Sequence, residues 1–286
     1  MRKFYWLASY PKSGSTWLAL ALRSVCNGGL PVDFAADGVL FPQAAARDVF
    51  DRTLGIESSD LTSDEDEVLR PRVYEALARQ AGEPVIRRVH GACVRTGADE
   101  PLFAPELTLG VVYLARDARD VAVSYAHYMD WDIDSTIHAM RNPAASAGVR
   151  PGALSPLLRQ RLLTWSGHVE SWLDAGVRLL LIRYEDMLKD PAVILAKVTS
   201  FLGWDAKPET IAAAVEATQF DRLQSQEEKH GFDSRTSRSG AFFRRGIAGG
   251  WREALTPEQI GQIERDHGRV LMRLGYPLSA HADISQ

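Results

Sequence analysis

Between Tyr10 and Trp17 the chain reads Tyr10-Pro11-Lys12-Ser13-Gly14-Ser15-Thr16-Trp17, a lysine set among small and hydroxyl-bearing residues. Placed between a strand and a helix, such a turn gathers backbone N–H groups and the positive helix end into an anion site. Its order differs from the Walker loop, Gly-x-x-x-x-Gly-Lys-Ser/Thr, because Lys12 precedes its glycine and the first glycine is missing. Basic residues also come in tight groups: Arg87-Arg88, Arg116 with Arg119, and Arg244-Arg245. The formal net charge is −4, so the broad basic field of a nucleic-acid-binding protein is lacking and an anionic ligand is caught locally.

The elements that must hold these groups follow from the apolar pattern. Phe4 to Ala8 is a short apolar and aromatic run that enters the Pro/Gly/Ser turn, so it reads as a buried strand. From Thr16 to Val25 a broad apolar face predicts a helix, which Asn27-Gly28-Gly29 stops. Further strands are expected at Val85-Ile86, Leu109 to Leu114 and Val177 to Ile182. Helices are expected over Glu65 to Gln80, Arg119 to Met129, Leu157 to Leu173, Pro191 to Leu202, Glu209 to Ala217 and Pro257 to Leu274, with Thr62 and Glu65 forming a capping box. Asp130 to Ser155 and Gln224 to Ala241 read as loops. The alternation predicts an α/β fold: one domain over residues 1–286, a central parallel sheet flanked by helices, and a P-loop-like nucleotide site.

Taken in order, several segments resemble the sulfotransferases that use 3′-phosphoadenosine 5′-phosphosulfate (PAPS). The Lys12 turn is similar to the family's loop for the donor 5′-phosphate, which assigns Lys12, Ser13, Gly14, Ser15, Thr16 and Trp17 to donor binding. Arg116-Asp117-Ala118-Arg119-Asp120-Val121-Ala122-Val123-Ser124-Tyr125 is similar to the 3′-phosphate segment and places Arg116 and Ser124 on that phosphate. A planar guanidinium with a hydroxyl suits a phosphate dianion. Phe243-Arg244-Arg245-Gly246, before Gly249-Gly250-Trp251, resembles the second 3′-phosphate element, with Arg245 where cytosolic members commonly have lysine and Gly250 where they have aspartate. Tyr184, in Arg183-Tyr184-Glu185-Asp186, and Thr218 and Phe220, in Thr218-Gln219-Phe220, look like adenine contacts.

Arg87-Arg88-Val89-His90-Gly91 resembles the family's Lys-x-His, with Arg88 in place of the lysine. The resemblance makes His90 the general base, a task that suits imidazole because its reference pKa lies near neutrality. Arg88 then stands near the transferring group. Lys12 would neutralise the leaving oxygen, and Ser124 would hold Lys12 away from that oxygen until acceptor arrives. PAPS is the implied co-substrate and no metal is called for.

The acceptor is expected to be a small molecule, with pocket walls from Gly28 to Pro84 and Met129 to Pro156. Residues 224–241, between the adenine and phosphate contacts, are expected to close over the donor as a lid. Cys26 and Cys93 lack metal-ligand spacing and a disulfide framework. No apolar stretch is long enough to span a bilayer and no signal-peptide pattern opens the chain, so a cytoplasmic protein without membrane or nucleic-acid partners is expected. Leu255-Thr256-Pro257-Glu258 matches the family's dimer segment only in part, which leaves a homodimer open. Two other readings compete: a P-loop kinase or NTPase, and a nucleotide-binding protein without chemistry. The first wants a Walker loop and acidic Mg²⁺ ligands, and the second needs no base.

Overall fold

The structure, a computed structural model, describes residues 2–34, 41–149, 152–232 and 240–279. Its strands are β1 (Phe4–Ser9), β2 (Val85–Val89), β3 (Thr108–Ala115), β4 (Ser146–Ala147), β5 (Gln160–Arg161) and β6 (Leu179–Arg183). The helices, in chain order, are α1 (Ser15–Cys26), α2 (Arg47–Leu54), α3 (Ser63–Gln80), α4 (Ala118–Met129), α5 (Ile133–Met140), α6 (Trp165–Leu173), α7 (Tyr184–Lys189), α8 (Pro191–Leu202), α9 (Pro208–Ala217), α10 (Phe220–His230), α11 (Trp251–Ala254) and α12 (Pro257–Arg273). The chain divides into two compact units. One comprises Met1–Tyr10, Phe41–Tyr113 and Asn142–Leu181, and the other Pro11–Leu40, Leu114–Arg141 and Ile182–Gln286.

The first unit carries the sheet, in the order β2-β1-β3-β6. Every residue of β1 is buried, as a central strand covered on both faces requires. β1 pairs in parallel with β2, Trp6 opposite Arg87 and Leu7 opposite Arg88. Tyr74 of α3 meets Phe4 and Trp6 edge-on, and Trp6 Nε1 donates to Thr108 Oγ1 at 2.9 Å. α3 starts with the expected capping box, Thr62 accepting from Glu65 N–H. On α6, His168 packs edge-on against Tyr10, and Trp172 lies 5.0 Å from Phe103.

In the second unit, α1 packs on α8 and α9, and α4 packs on α5, α11 and α12. Arg119 and Asp120, which a surface helix would expose, are buried. Arg119 bonds Asp117 and Glu264, each at 2.7 Å, and its guanidinium lies 4.1 Å from the Trp251 ring. Asp120 accepts from Gly249 N–H at 2.6 Å and Trp251 N–H at 3.0 Å, so α4 fixes the Gly-Gly-Trp turn.

Three expectations are corrected. Helix Leu157 to Leu173 begins only at Trp165. Upstream, Leu158 N–H bonds Ala45 O and Leu162 N–H bonds Ala145 O, so tertiary pairing draws this segment out of helical form. Leu163 then turns through φ 60° and Thr164 caps Gly167 N–H. Within the expected loop Asp130 to Ser155, α5 forms because Asp132 caps Ser135 N–H and Ile137 and Met140 are buried. Gln224 to His230 also belongs to a helix, α10, whose Leu223 and Glu227 are buried four residues apart. Residues 233–239 of the expected lid lie outside the described residues. No described helix is long and apolar enough to cross a membrane.

Candidate active site

The turn between β1 and α1 bends through two left-handed residues, Lys12 at φ 68° and Gly14 at φ 98°. Between them Ser13 is buried, and its Oγ has no hydrogen-bond partner among the described residues. The N-terminus of α1 has no side-chain cap and no acidic residue in its first turn. A buried orphan hydroxyl, positive-φ backbone and an uncapped helix end together suit a phosphate.

Three cations stand around this turn. Arg116 donates to the Lys12 carbonyl at 3.2 Å and the Ile247 carbonyl at 3.0 Å, and its guanidinium sits 4.3 Å from the Tyr184 ring. Arg116 Nε is buried without a hydrogen-bond partner among the described residues. Lys12 Nζ lies 4.3 Å from the centre of the Tyr128 ring and 4.1 Å from that of Phe242. Burial, then Arg116, with Arg244 adding and Glu227 opposing, pushes Lys12 from 10.5 down to about 7. Partial burial, Arg245 and Arg116 likewise push Arg244 down. Like charges held this close signal an anion that would relieve them.

Tyr184 and Phe220 act as wedges. A Cβ on Gly14 would stand 2.5 Å from the Tyr184 ring, and a Cβ on Gly246, at φ 61°, would overlap the Phe220 ring. Trp17 Nε1 donates to the Thr218 carbonyl at 2.9 Å, while the Thr218 hydroxyl donates to Ala214 O at 2.7 Å. Trp17 also meets Tyr184 edge-on. In this way Lys12 to Trp17, Arg116, Tyr184, Thr218, Phe220 and the Arg244 segment are all drawn into one unit.

The family model for a sulfotransferase domain matches residues 3–275. The chain belongs to the sulfotransferase family. It is 24% identical over 275 residues to sulfotransferase 1 family member D1 of Rattus norvegicus, covering 91% of this chain and 81% of the relative. To sulfotransferase 1B1 of Canis lupus familiaris it is 27% identical over 270 residues, covering 88% and 78%. Its fold matches the crystal structure of mouse sulfotransferase SULT7A1 complexed with PAP, with a TM-score of 0.60, 22% identity, and 94% and 85% of the two chains covered. The expected α/β fold, with its central parallel sheet and helices, is thereby established. So is a sulfotransferase enzyme, against the kinase and the non-catalytic binder.

In this sulfotransferase His90 and Arg88 belong to the other unit. Arg88 is buried, and its backbone bonds Pro42 O and Ala44 N–H. His90 is half-buried at the end of β2, with Nδ1 3.1 Å from the Ser9 carbonyl and 3.4 Å from Ser9 Oγ. A carbonyl oxygen only accepts, so Nδ1 carries the hydrogen and Nε2 of the neutral ring is the basic nitrogen. No described group of three or more His, Cys, Asp or Glu is arranged to hold a metal ion.

Ser124 is half-buried on α4, and Lys12 rests on the Tyr128 and Phe242 rings. Those rings were missed in sequence, although Tyr128 lies one helical turn beyond Ser124 and Phe242 just precedes Phe243-Arg244. Glu227 was missed too. Buried on α10, it accepts from Phe242 N–H at 2.6 Å and Phe243 N–H at 2.9 Å, while Gln224 Nε2 donates to Phe243 O at 3.0 Å. The stretch read as lid therefore begins as a clamp on the Arg244 segment. Arg245 pairs with Glu253 at 3.3 Å.

Gly14→Ala should weaken binding of adenosine 3′,5′-bisphosphate (PAP) at least tenfold, because both the positive φ and the Tyr184 ring oppose a side chain. Gly28→Ala, also at positive φ but in open space, serves as the control and should leave PAP binding unchanged in calorimetry.

Proposed function

We propose that this sulfotransferase binds PAPS at the Lys12 turn and transfers its sulfuryl group to a hydroxyl or amine of a small-molecule acceptor. The observation that carries the reading is the convergence of Lys12, Arg116 and Arg244 around a turn with an orphaned Ser13 hydroxyl and an uncapped helix end. The donor supplies the sulfuryl group and a bisphosphate that departs with it. Ser13, Gly14 and the first turn of α1 hold the 5′-phosphate. Arg116, Ser124 and the segment Arg244-Arg245-Gly246 hold the 3′-phosphate, and Trp17, Tyr184, Thr218 and Phe220 surround the adenine.

In the transfer, the sulfur–oxygen bond to the 5′-phosphate breaks as a bond from sulfur to the acceptor oxygen or nitrogen forms. The acceptor's proton goes to His90 Nε2, and Lys12 neutralises the negative charge left on the departing oxygen. PAP leaves. Arg88, two residues before the base, stands near the transferring sulfuryl group.

Two measurements test this reading. PAP should raise the melting temperature, while ATP with Mg²⁺ should not. Incubation with PAPS and a panel of phenols, alcohols, amines and sugars should add the mass of one sulfuryl group to at least one of them. Stabilisation by ATP with Mg²⁺ alone, or no sulfated product across the panel, rejects the proposal.

Arg116 should also decide which nucleotide is held. Arg116→Ala is expected to cost about 2–5 kcal/mol in PAP affinity, the scale for stranding a desolvated charge partner. Adenosine 5′-phosphosulfate, which lacks the 3′-phosphate, should lose much less. Equal losses for both would make Arg116 a structural brace of the Lys12 carbonyl and no more.

A further inference from the structure

After His90 the chain turns through Gly91-Ala92-Cys93, and three side chains of α6 reach that turn. His168 Nε2 lies 3.0 Å from the His90 carbonyl oxygen, and Trp172 Nε1 donates to the Gly91 carbonyl at 3.0 Å. Ser171 Oγ accepts from Cys93 N–H at 3.0 Å and donates to the His168 carbonyl at 2.8 Å. From β5, Gln160 Oε1 accepts from His90 N–H at 3.0 Å and Arg161 O accepts from Ala92 N–H at 2.8 Å. Both backbone groups of His90 are thus held from outside its own strand.

His168 is fully buried, and its Nδ1 lies 2.8 Å from the Tyr113 hydroxyl on β3. The hydrogens follow from the partners. The His90 carbonyl can only accept, so His168 Nε2 carries a hydrogen. Burial pushes His168 down to about 3, which keeps the ring neutral and Nδ1 bare at physiological pH. Burial also pushes the Tyr113 hydroxyl well above its ordinary value, so it stays protonated and donates to that nitrogen. The relay has one arrangement: Tyr113 O–H to His168 Nδ1, and His168 Nε2–H to the His90 carbonyl.

A buried imidazole that never ionises is a poor choice for packing alone, because each of its nitrogens needs a partner and an apolar side chain needs none. What the arrangement achieves is control of the peptide that carries the His90 ring. The ring's own anchor, Nδ1 to Ser9 O at 3.1 Å, lies within hydrogen-bond reach only while that peptide is fixed. We propose that His168 is a positioning residue for His90. By holding the His90 carbonyl, it keeps the His90 Nδ1–H on Ser9 and so keeps Nε2 as the nitrogen that takes the acceptor's proton. The proposal rests on the reading of His90 as base, and it extends to this site the outer partner that fixes the tautomer of a working histidine.

Long-range proton–nitrogen NMR of the full chain labelled with ¹⁵N-histidine tests it without an acceptor. In the wild type, His90 should show a hydrogen on Nδ1 and a bare Nε2, and His168 the opposite. In His168→Leu the His90 ring should mix its two tautomers. His168→Gln, whose amide N–H stands where Nε2–H stood, should restore the single form. Tyr113→Phe serves where the leucine variant fails to fold, and it should cost His168 its single tautomer and His90 part of its Nδ1–H population. A His90 that keeps the wild-type tautomer in whichever of these two variants folds overturns the proposal. Rates separate this failure from that of the base reading. His168→Leu should lower kcat at least tenfold with PAP affinity unchanged, and should lower it no further once His90 is alanine. A full rate in His90→Ala would defeat the base reading alone, because the tautomer result still judges His168.

Discussion

His90→Ala should lower kcat by about 10²–10⁴-fold, the range that a positioned general base contributes. The acceptor should be one whose hydroxyl is not ionised at neutral pH, since only then must a proton leave as the bond to sulfur forms. PAP affinity should be unchanged, because the donor contacts proposed for Lys12, Arg116 and Arg244 do not include His90. The geometry supports a base of defined form: Nδ1 is committed to the Ser9 carbonyl, which leaves Nε2 to accept. His90→Asn makes a useful contrast. It keeps a polar group near Ser9 but has no basic nitrogen, so it should be as slow as alanine. A loss below tenfold in either variant would move the base to another residue.

Much of this site could be read in the sequence because its parts are local. The Lys12 turn follows a continuous apolar strand and opens an amphipathic helix, and both neighbours are set by period and by turn chemistry. Arg116 likewise follows directly from β3. What the sequence hid is held by distant partners. Gln224 to His230 is polar and reads as loop, yet it is helical because Glu227 bonds two N–H groups at Phe242 and Phe243. Leu157 to Leu162 reads as helix, yet it pairs with Ala45 and Ala145. Nothing near His168 in the chain marks it, because the partners of its two nitrogens, Tyr113 and His90, are distant in sequence. Periodicity reports which face of an element is apolar, whereas these contacts depend on which segments the fold brings side by side.

The second large effect concerns Lys12, where burial and Arg116 hold the amine at about 7 and two aromatic rings hold it in place. Lys12→Met should lower kcat at least 10²-fold at saturating donor, because the charge is needed most when the leaving oxygen becomes negative. The same residue predicts how donor binding depends on pH. The donor's phosphates favour the charged amine, so binding above pH 7 must take up a proton, and PAP affinity should fall by up to about tenfold per pH unit from there. In Lys12→Met that slope should vanish. Stability of the empty protein runs the other way. In the unfolded chain the amine titrates near 10.5 and in the folded chain near 7, so between these values the unfolded state holds the extra proton. The penalty of burying the charge is therefore complete below pH 7 and fades as pH rises toward 10.5. Lys12→Met should melt higher than the wild type below pH 7, with the gap closing as pH rises. A methionine variant that is less stable at every pH, or that keeps the wild-type pH dependence of PAP binding, would show that Lys12 is an ordinary solvated lysine. The opposite pair of results, a more stable protein that transfers sulfate poorly, would mark Lys12 as a charge the fold carries at its own expense for the reaction.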